Sequence, residues 1–422
     1  MSTGVLPGGG GARTLPIMKR MGNAFAAALV LLATLLMPVA VAAGPRKPAQ
    51  EHPAPPQDPI AVAVDHYRSL EYDQAQSVLD GVLKDRPEDL HALNVMGTVV
   101  LYREMFQRGL LDSQLYGKKG EAFEPAREPV SPEFEKRLFD VLNRAQSLAE
   151  ARVRKDPTDK EARYWAGVTH GTRATYYFTL KRSWKAALDE ARAAQLDHKA
   201  LLQLDPGFVD ANLIVGVQDY LVGALPWPIR VLAALVGAHG DRERGLQAVQ
   251  LVADKGNYAR DDARTVLAVL YQREERWGDA RRELQQLVPR FPRGFLSAQE
   301  LASVCARVDD FRCAASTYDM LLDRYRGGPP NSSWMRFWVA KVLYLSGQAH
   351  EKLGENDLAL ARYSEAEQLR KDDAYIRKSA LADADLLKRM GHGEEARAHY
   401  HELASSFPDS EEGKAASKAL RR

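Results

Sequence analysis

Apolar and small side chains recur at a fixed offset in the second half of the chain. Residues 261–292 read DDARTVLAVLYQREERWGDARRELQQLVPRFP, and residues 295–325 read FLSAQELASVCARVDDFRCAASTYDMLLDRY. Shifted by 34 residues, Leu267-Ala268 falls on Leu301-Ala302, Tyr271 on Cys305, Ala280 on Ala314, Leu284 on Tyr318 and Leu287 on Leu321. Within each half the apolar positions are three or four apart, the spacing of one helix face. A polar stretch separates the halves, Glu274 to Asp279 in the first copy and Arg307 to Phe311 in the second. Each copy therefore predicts two antiparallel helices joined by a tight turn. Such helices approach closely only where both present small residues, here Ala268 and Ala280, while bulky residues fill the groove toward the next pair. A single pair leaves one apolar face uncovered, so the units must stack.

The same register recurs along the chain. Gly347 with Ala359, Tyr363 and Ala366 forms one unit, and Ala384, Ala396, Tyr400, Leu403 and Pro408 another. Upstream, Ala75, Leu79, Val82 and Pro87 mark a second helix. Gly97, Gly167 and Gly216 take the close-contact position of three first helices, and Asp156-Pro157 and Leu204-Asp205-Pro206 end two second helices. Period and signature positions together resemble the tetratricopeptide repeat. The resemblance implies an all-α, right-handed superhelical solenoid of about eight helical hairpins over residues 59–410, with 411–422 as a tail or capping helix.

Three stretches depart from the repeat and are expected to be insertions: residues 105–134, rich in Gly, Pro and charge; 172–184, with its aromatic run TRATYYFTLKRSW; and 221–241. The last holds Pro226-Trp227-Pro228 and a nearly continuous apolar run from Ile229 to Ala238. Apolar runs of this length are usually buried helices, so Trp227 with Val231, Leu232, Leu235 and Val236 is expected to fill a gap between repeats. The alternatives are a segment that dips into a membrane, or a pocket in which Trp227 and Arg230 hold a small acid or lipid. The adjoining Gly240-Asp-Arg-Glu-Arg-Gly245-Leu246 is similar to the tetratricopeptide repeat 39 family, a likeness that implies a shared build and association rather than catalysis.

The N-terminal segment changes where the protein is expected to act. Met18-Lys-Arg-Met-Gly is a positive n-region, Ala24 to Met37 an apolar h-region, and Ala40 to Ala43 supplies small residues for cleavage. Residues 1–43 thus read as a signal peptide, with 1–17 an upstream extension, and direct the chain to the periplasm or cell envelope. An uncleaved inner-membrane anchor is the minority reading. Residues 44–58, with six prolines between Gly44 and Pro59, read as a linker. Export bears on Cys305 and Cys313, the two cysteines of the chain, which lie four residues either side of Asp309. A disulfide between them and a pair of buried thiols are both open.

Composition narrows the function further. Lys+Arg 58 against Asp+Glu 56 leaves a net charge of +2, which excludes the basic excess expected of a nucleic-acid binder. No phosphate loop, nucleophile elbow or Cys-x-x-Cys occurs, so no enzyme activity and no cofactor are expected. His392, His399 and His401 come nearest to a metal cluster, but 399 and 401 point to different faces of a helix, so no metal site is expected. What remains is the face lined by first helices. Its expected residues are Gln272, Arg273, Arg307, Lys341, Tyr344, Gln348, Lys352, Lys378, Lys388 and Arg389. Cations with an aromatic and amides suit carboxylates and peptide backbone. The expected function is a scaffold or adaptor for a protein or peptide partner. A carrier of a small molecule or lipid near Trp227, delivering to a membrane partner, is the alternative.

Overall fold

The computed structural model describes residues 58–111, 129–235, 239–327, 335–369 and 373–421. Residues 1–43, read above as a signal peptide, nearly all of the Pro-rich stretch and residues 112–128 lie outside them. Among the described residues every regular element is helical. The helices are α1 (Pro59–Arg68), α2 (Tyr72–Asp85), α3 (Leu90–Gln107), α4 (Pro132–Lys155), α5 (Lys160–Thr179), α6 (Trp184–Leu204), α7 (Asn212–Gly223), α8 (Trp227–Leu235) and α9 (Arg242–Lys255). They continue with α10 (Arg260–Arg273), α11 (Trp277–Arg290), α12 (Phe295–Arg307), α13 (Phe311–Gly327), α14 (Met335–Lys352), α15 (Asn356–Glu367), α16 (Ala374–Met390), α17 (Gly393–Ser406) and α18 (Glu411–Leu420). A 3-10 turn, Val209–Ala211, precedes α7. Hairpins form from α3/α4, α5/α6, α7/α9, α12/α13, α14/α15 and α16/α17, with α18 packed on α17, and tight turns join α1 to α2 and α10 to α11. This is the all-α tetratricopeptide-like array that the register predicts.

Two local devices repeat. Six hairpin turns place a left-handed residue two positions before the second helix: Leu70, Arg182, Glu275, Asp309, Gly354 and Gly391. In five of them the next N–H donates to the carbonyl five residues back, as Arg276 does to Tyr271 and Asp310 to Cys305, the helix-ending arrangement that satisfies otherwise orphaned carbonyls. The other two hairpins, α3/α4 and α7/α9, are those interrupted by long segments. The second device is proline. Pro87, Pro157, Pro206, Pro292 and Pro408 each stand two residues beyond the end of a second helix, where the ring blocks continuation. Asp89 and Asp159 follow two residues later and cap α3 and α5, accepting from the N–H groups of Ala92 and Ala162, each at 2.9 Å.

The expected insertion at 172–184 is corrected. Its turn is of the common kind, centred on Arg182, and Thr172 to Thr179 extend α5 instead. α5 and α6 run 20 and 21 residues, against 14 for each of α10 and α11. The extension is buried, and its threonines are accommodated because each hydroxyl donates to the carbonyl four residues back: Thr172 to Val168, Thr175 to Gly171, Thr179 to Thr175. The expected 105–134 insertion is also trimmed, since Met105 and Phe106 are buried in α3 and α4 starts at Pro132.

The chain divides into two compact units. Among the described residues, the first comprises those of 58–61 and 78–267, and the second those of 62–77 and 268–421. In the first, small residues set the helix spacing as expected. A Cβ on Gly167 would lie 2.6 Å from Nε2 of His198 on α6, and one on Gly97 would meet Leu142 of α4. α7 and α9 come closest. A Cβ on Gly216 would lie 2.9 Å from the carbonyl oxygen of Gly245, and one on Gly245 would lie 2.5 Å from that of Gly216. Here backbone faces backbone, with Arg244 paired to Asp219 at 2.6 Å beside the contact.

The second unit joins residues far apart in sequence. Arg293, after α11, donates to Glu71 at 2.8 and 2.9 Å and to Asp65, and the guanidinium of Arg68 lies 4.6 Å above the Phe291 ring. The first hairpin turn is therefore seated on the α11/α12 connection. Farther along, Gly347 of α14 packs under the Tyr363 ring of α15, the close contact anticipated for that hairpin.

Candidate functional site

In the second unit, first helices α14 and α16 bring a set of cations, amides and aromatic rings together. Tyr375, on the first turn of α16, lies 5.9 Å from the Tyr344 ring of α14. The Lys378 ammonium stands 5.0 Å from the Tyr375 centroid and that of Lys341 5.9 Å from it. Gln348, one turn beyond Tyr344, donates to the Tyr344 hydroxyl at 2.8 Å. Rings and cations held this way attract one another and order the long lysine stems. Burial raises the Tyr344 pKa above the usual phenol value, so the hydroxyl stays neutral at physiological pH.

The expected face is only partly assembled as anticipated. Lys352, Lys378, Lys388 and Gln348 are exposed. Lys341 is 5 % exposed, a core-edge residue rather than a surface one. Charge reversal there would test folding, not binding. Arg389 is committed to Glu351, 2.6 Å away. Arg307 is exposed, its guanidinium 5.6 Å above the Trp277 ring, and Gln272 is half-buried and 3.4 Å from Glu300. Arg273 is half-buried at the end of α10. Tyr375 was not among the expected residues; no Gly or Pro marks the helix start at Ala374, so the sequence did not show that Tyr375 stands in the first turn of a first helix.

Behind this face lies a polar network. Asp319 of α13 accepts from Ser346 at 3.0 Å and from Arg362 at 3.0 and 3.2 Å, and lies 3.0 Å from Nε2 of His350. Nδ1 of His350 faces Glu355 at 2.7 Å across the hairpin turn. The α1/α2 turn repeats that local pairing, with His66 and Glu71 2.6 Å apart. His350 is thus a structural histidine that ties α13, α14 and α15 together.

One helix pair later, three titratable groups meet. A carboxylate oxygen of Glu367, one of Asp383 and a ring nitrogen of His399 lie within 4.8 Å of one another. Nδ1 of His399 is 2.8 Å from Asp383, whose negative charge raises the imidazole pKa. Burial, reinforced by Asp383, pushes the Glu367 carboxyl up to about 7. His392, at the N-cap of α17, and His401, two residues after His399, are not members of this group. Sequence inspection missed the cluster because each member comes from a different helix, at intervals of 16 residues that mean nothing until the hairpins stack.

In the first unit, aromatic rings from α3, α5 and two connections pack together. His91 stacks on Trp165 at 4.7 Å, and Tyr258 lies 5.4 Å from Trp165 and 5.5 Å from Tyr164. Asp210 holds the Tyr258 segment by accepting from the N–H groups of Asn257 and Ala259. His198 is buried beneath, its Nε2–H donating to the Tyr164 carbonyl at 3.1 Å, and burial pushes its pKa down to about 4.

The expectation that Trp227 and Val231 fill a gap in the core is overturned. They are 71 % and 50 % exposed, on α8. Arg230 is exposed too and donates to the Gly223 carbonyl at 3.2 Å. The run is apolar enough for burial, but α7 already packs directly on α9 through Gly216 and Gly245, so α8 is left outside that contact. The side chains of Leu232 and Leu235 lie outside the described ones. Among the described residues no helix is long and apolar enough to cross a membrane. Cys305 and Cys313 are joined as a disulfide across the α12/α13 turn, with their Cα atoms 5.8 Å apart.

No protein-family model matches this chain, and no curated protein does. Solved structures are similar at low identity. PilW, a widely conserved type IV pilus biogenesis factor, is 14 % identical over 58 % of this chain and 93 % of its own, with a TM-score of 0.36. Yeast Tom70 is 14 % identical over 86 % and 88 %, with a TM-score of 0.32. A tetratricopeptide repeat protein from Parabacteroides merdae is 13 % identical over 76 % and 95 %, with a TM-score of 0.28. Likeness this loose assigns no partner, pathway or location.

Proposed function

We propose that this tetratricopeptide-like array is an exported interaction scaffold, holding a protein or peptide partner in the periplasm or cell envelope. The observation that carries the reading is the surface around Tyr375, where Tyr344, Gln348 and Lys378 are mutually braced on two neighbouring first helices. A braced surface loses little side-chain entropy on binding, so its contacts count toward affinity. Ammonium groups at Lys352, Lys378 and Lys388 would engage carboxylates of the partner, and the tyrosines would supply apolar contact beside them. Export is supported by the positive and apolar segments before residue 44 and by the bridged cysteines, which suit an oxidising compartment. The action assigned is association, with no chemical step. A carrier function at Trp227 draws no support from two side chains, Trp227 and Arg230, that both face solvent.

The test is charge reversal at Lys352, Lys378 and Lys388 together, read by crosslinking capture from cell envelopes and by circular dichroism. Capture lost by at least about tenfold with helicity unchanged is the expected result. Undiminished capture by a folded triple variant would remove the binding surface from this face.

A further inference from the structure

We propose that Glu367, Asp383 and His399 form a binding site for a divalent transition-metal ion. The three residues come from α15, α16 and α17, so an ion held by them would bridge two successive hairpins. Two carboxylates and one imidazole are a mixed oxygen and nitrogen donor set, which suits zinc or manganese better than magnesium. Their ligand atoms already converge, with His399 Nδ1 and Asp383 2.8 Å apart and all three residues' donor atoms within 4.8 Å. Ligands about 2 Å from a tetrahedral zinc stand about 3.3 Å from one another, a spacing bracketed by these distances.

Two further observations point to a ligand rather than to a simple ion pair. Asp383 is 3 % exposed, a carboxylate carried into the interior of the repeat. The Oε1 atom of Glu367 is shut off from solvent and has no hydrogen-bond partner. Asp383 and His399 satisfy each other, but the third group is left over, and a sealed, unpaired carboxylate oxygen is costly. A cation answers both deficits at once. His399 is 38 % exposed in its side chain, which leaves a path for the ion to enter and at least one coordination position open to water or to a carboxylate from outside.

The experiment uses untagged full-length protein stripped with chelator, titrated calorimetrically with zinc, manganese and magnesium chlorides. One zinc per chain is expected, with manganese weaker and no magnesium binding. His399→Gln and Asp383→Asn should each weaken zinc by at least about tenfold, while His392→Gln and His401→Gln leave it unchanged. Should the Asp383 variant fail to fold, Glu367→Gln supplies the same test, since it removes no existing hydrogen bond of Oε1. No zinc binding by the parent protein would overturn the proposal. So would zinc binding that survives His399→Gln and Glu367→Gln in folded protein, which would place the ion elsewhere.

Discussion

Left-handed backbone at Glu275 costs about 1–2 kcal/mol for a residue with a side chain, whereas Gly354 and Gly391 occupy the equivalent turn position without that strain. Glu275→Gly should therefore raise stability by up to about 1 kcal/mol after the added freedom of the unfolded chain is counted. A higher urea midpoint at unchanged slope is the expected reading, and an unchanged or lower midpoint would mean the glutamate side chain contributes contacts that offset the strain. His198 makes a different prediction. Burial holds its folded pKa at about 4 against an unfolded value near 6.5, so the unfolded state takes up the proton first. Its contribution is complete above pH 6.5 and is lost as pH falls toward 4, by about 3 kcal/mol in all. Unfolding at pH 7 and pH 4.5 should show this loss in the parent protein and a shallower dependence in His198→Gln. Equal slopes would remove His198 from the acid response.

Among helices, the α7/α9 crossing is the least forgiving contact described. Gly245→Ala would set a methyl group against the backbone of Gly216 and Tyr220, which cannot swing aside as a side chain does. A loss of about 1–3 kcal/mol is expected, while Trp227→Ser on neighbouring α8 should stay within about 0.5 kcal/mol of the parent. Thermal melting of the two variants distinguishes them, and a large loss in the tryptophan variant would restore the buried reading of α8. These two helices also show what a sequence reveals. Gly97, Gly167, Gly216 and Gly347 were legible because a missing Cβ at a recurrent register position has few causes besides close packing. Burial of the 221–241 run was not, since apolar content states what a helix could bury and not whether a partner surface is free. The extended α5 was misread for a related reason: Thr172, Thr175 and Thr179 look like turn residues until their hydroxyls are seen bonding back along the helix. The cationic face was legible as a register, but not its internal neutralisation, such as Arg389 by Glu351, which depends on the neighbouring hairpin.

For the molecule as a whole, stacked hairpins ordinarily contact only their neighbours, and stability then adds up along the array. Arg293 breaks that rule by joining Asp65 and Glu71. These pairs are partly exposed, so Arg293→Ala should lower global stability by about 1 kcal/mol or less. Its sharper effect is local. Amide hydrogen exchange in α1 should quicken in the variant while α16 and α17 are unaffected, and unchanged protection of α1 would show that the Arg68–Phe291 contact alone holds the hairpin.

That contact also sets an order of events. Glu71 and Arg293 are 222 residues apart, so the first hairpin turn is synthesised, and on the proposed route crosses the membrane, long before its seat exists. Closing a loop of that length costs about 1.5 kcal/mol more than joining units one repeat apart. The later hairpins can settle as each arrives, but the opening turn must wait. During that interval Arg68 lacks the Phe291 ring, and Asp65 and Glu71 lack Arg293. The earliest part of the array to emerge is thus among the last to be completed.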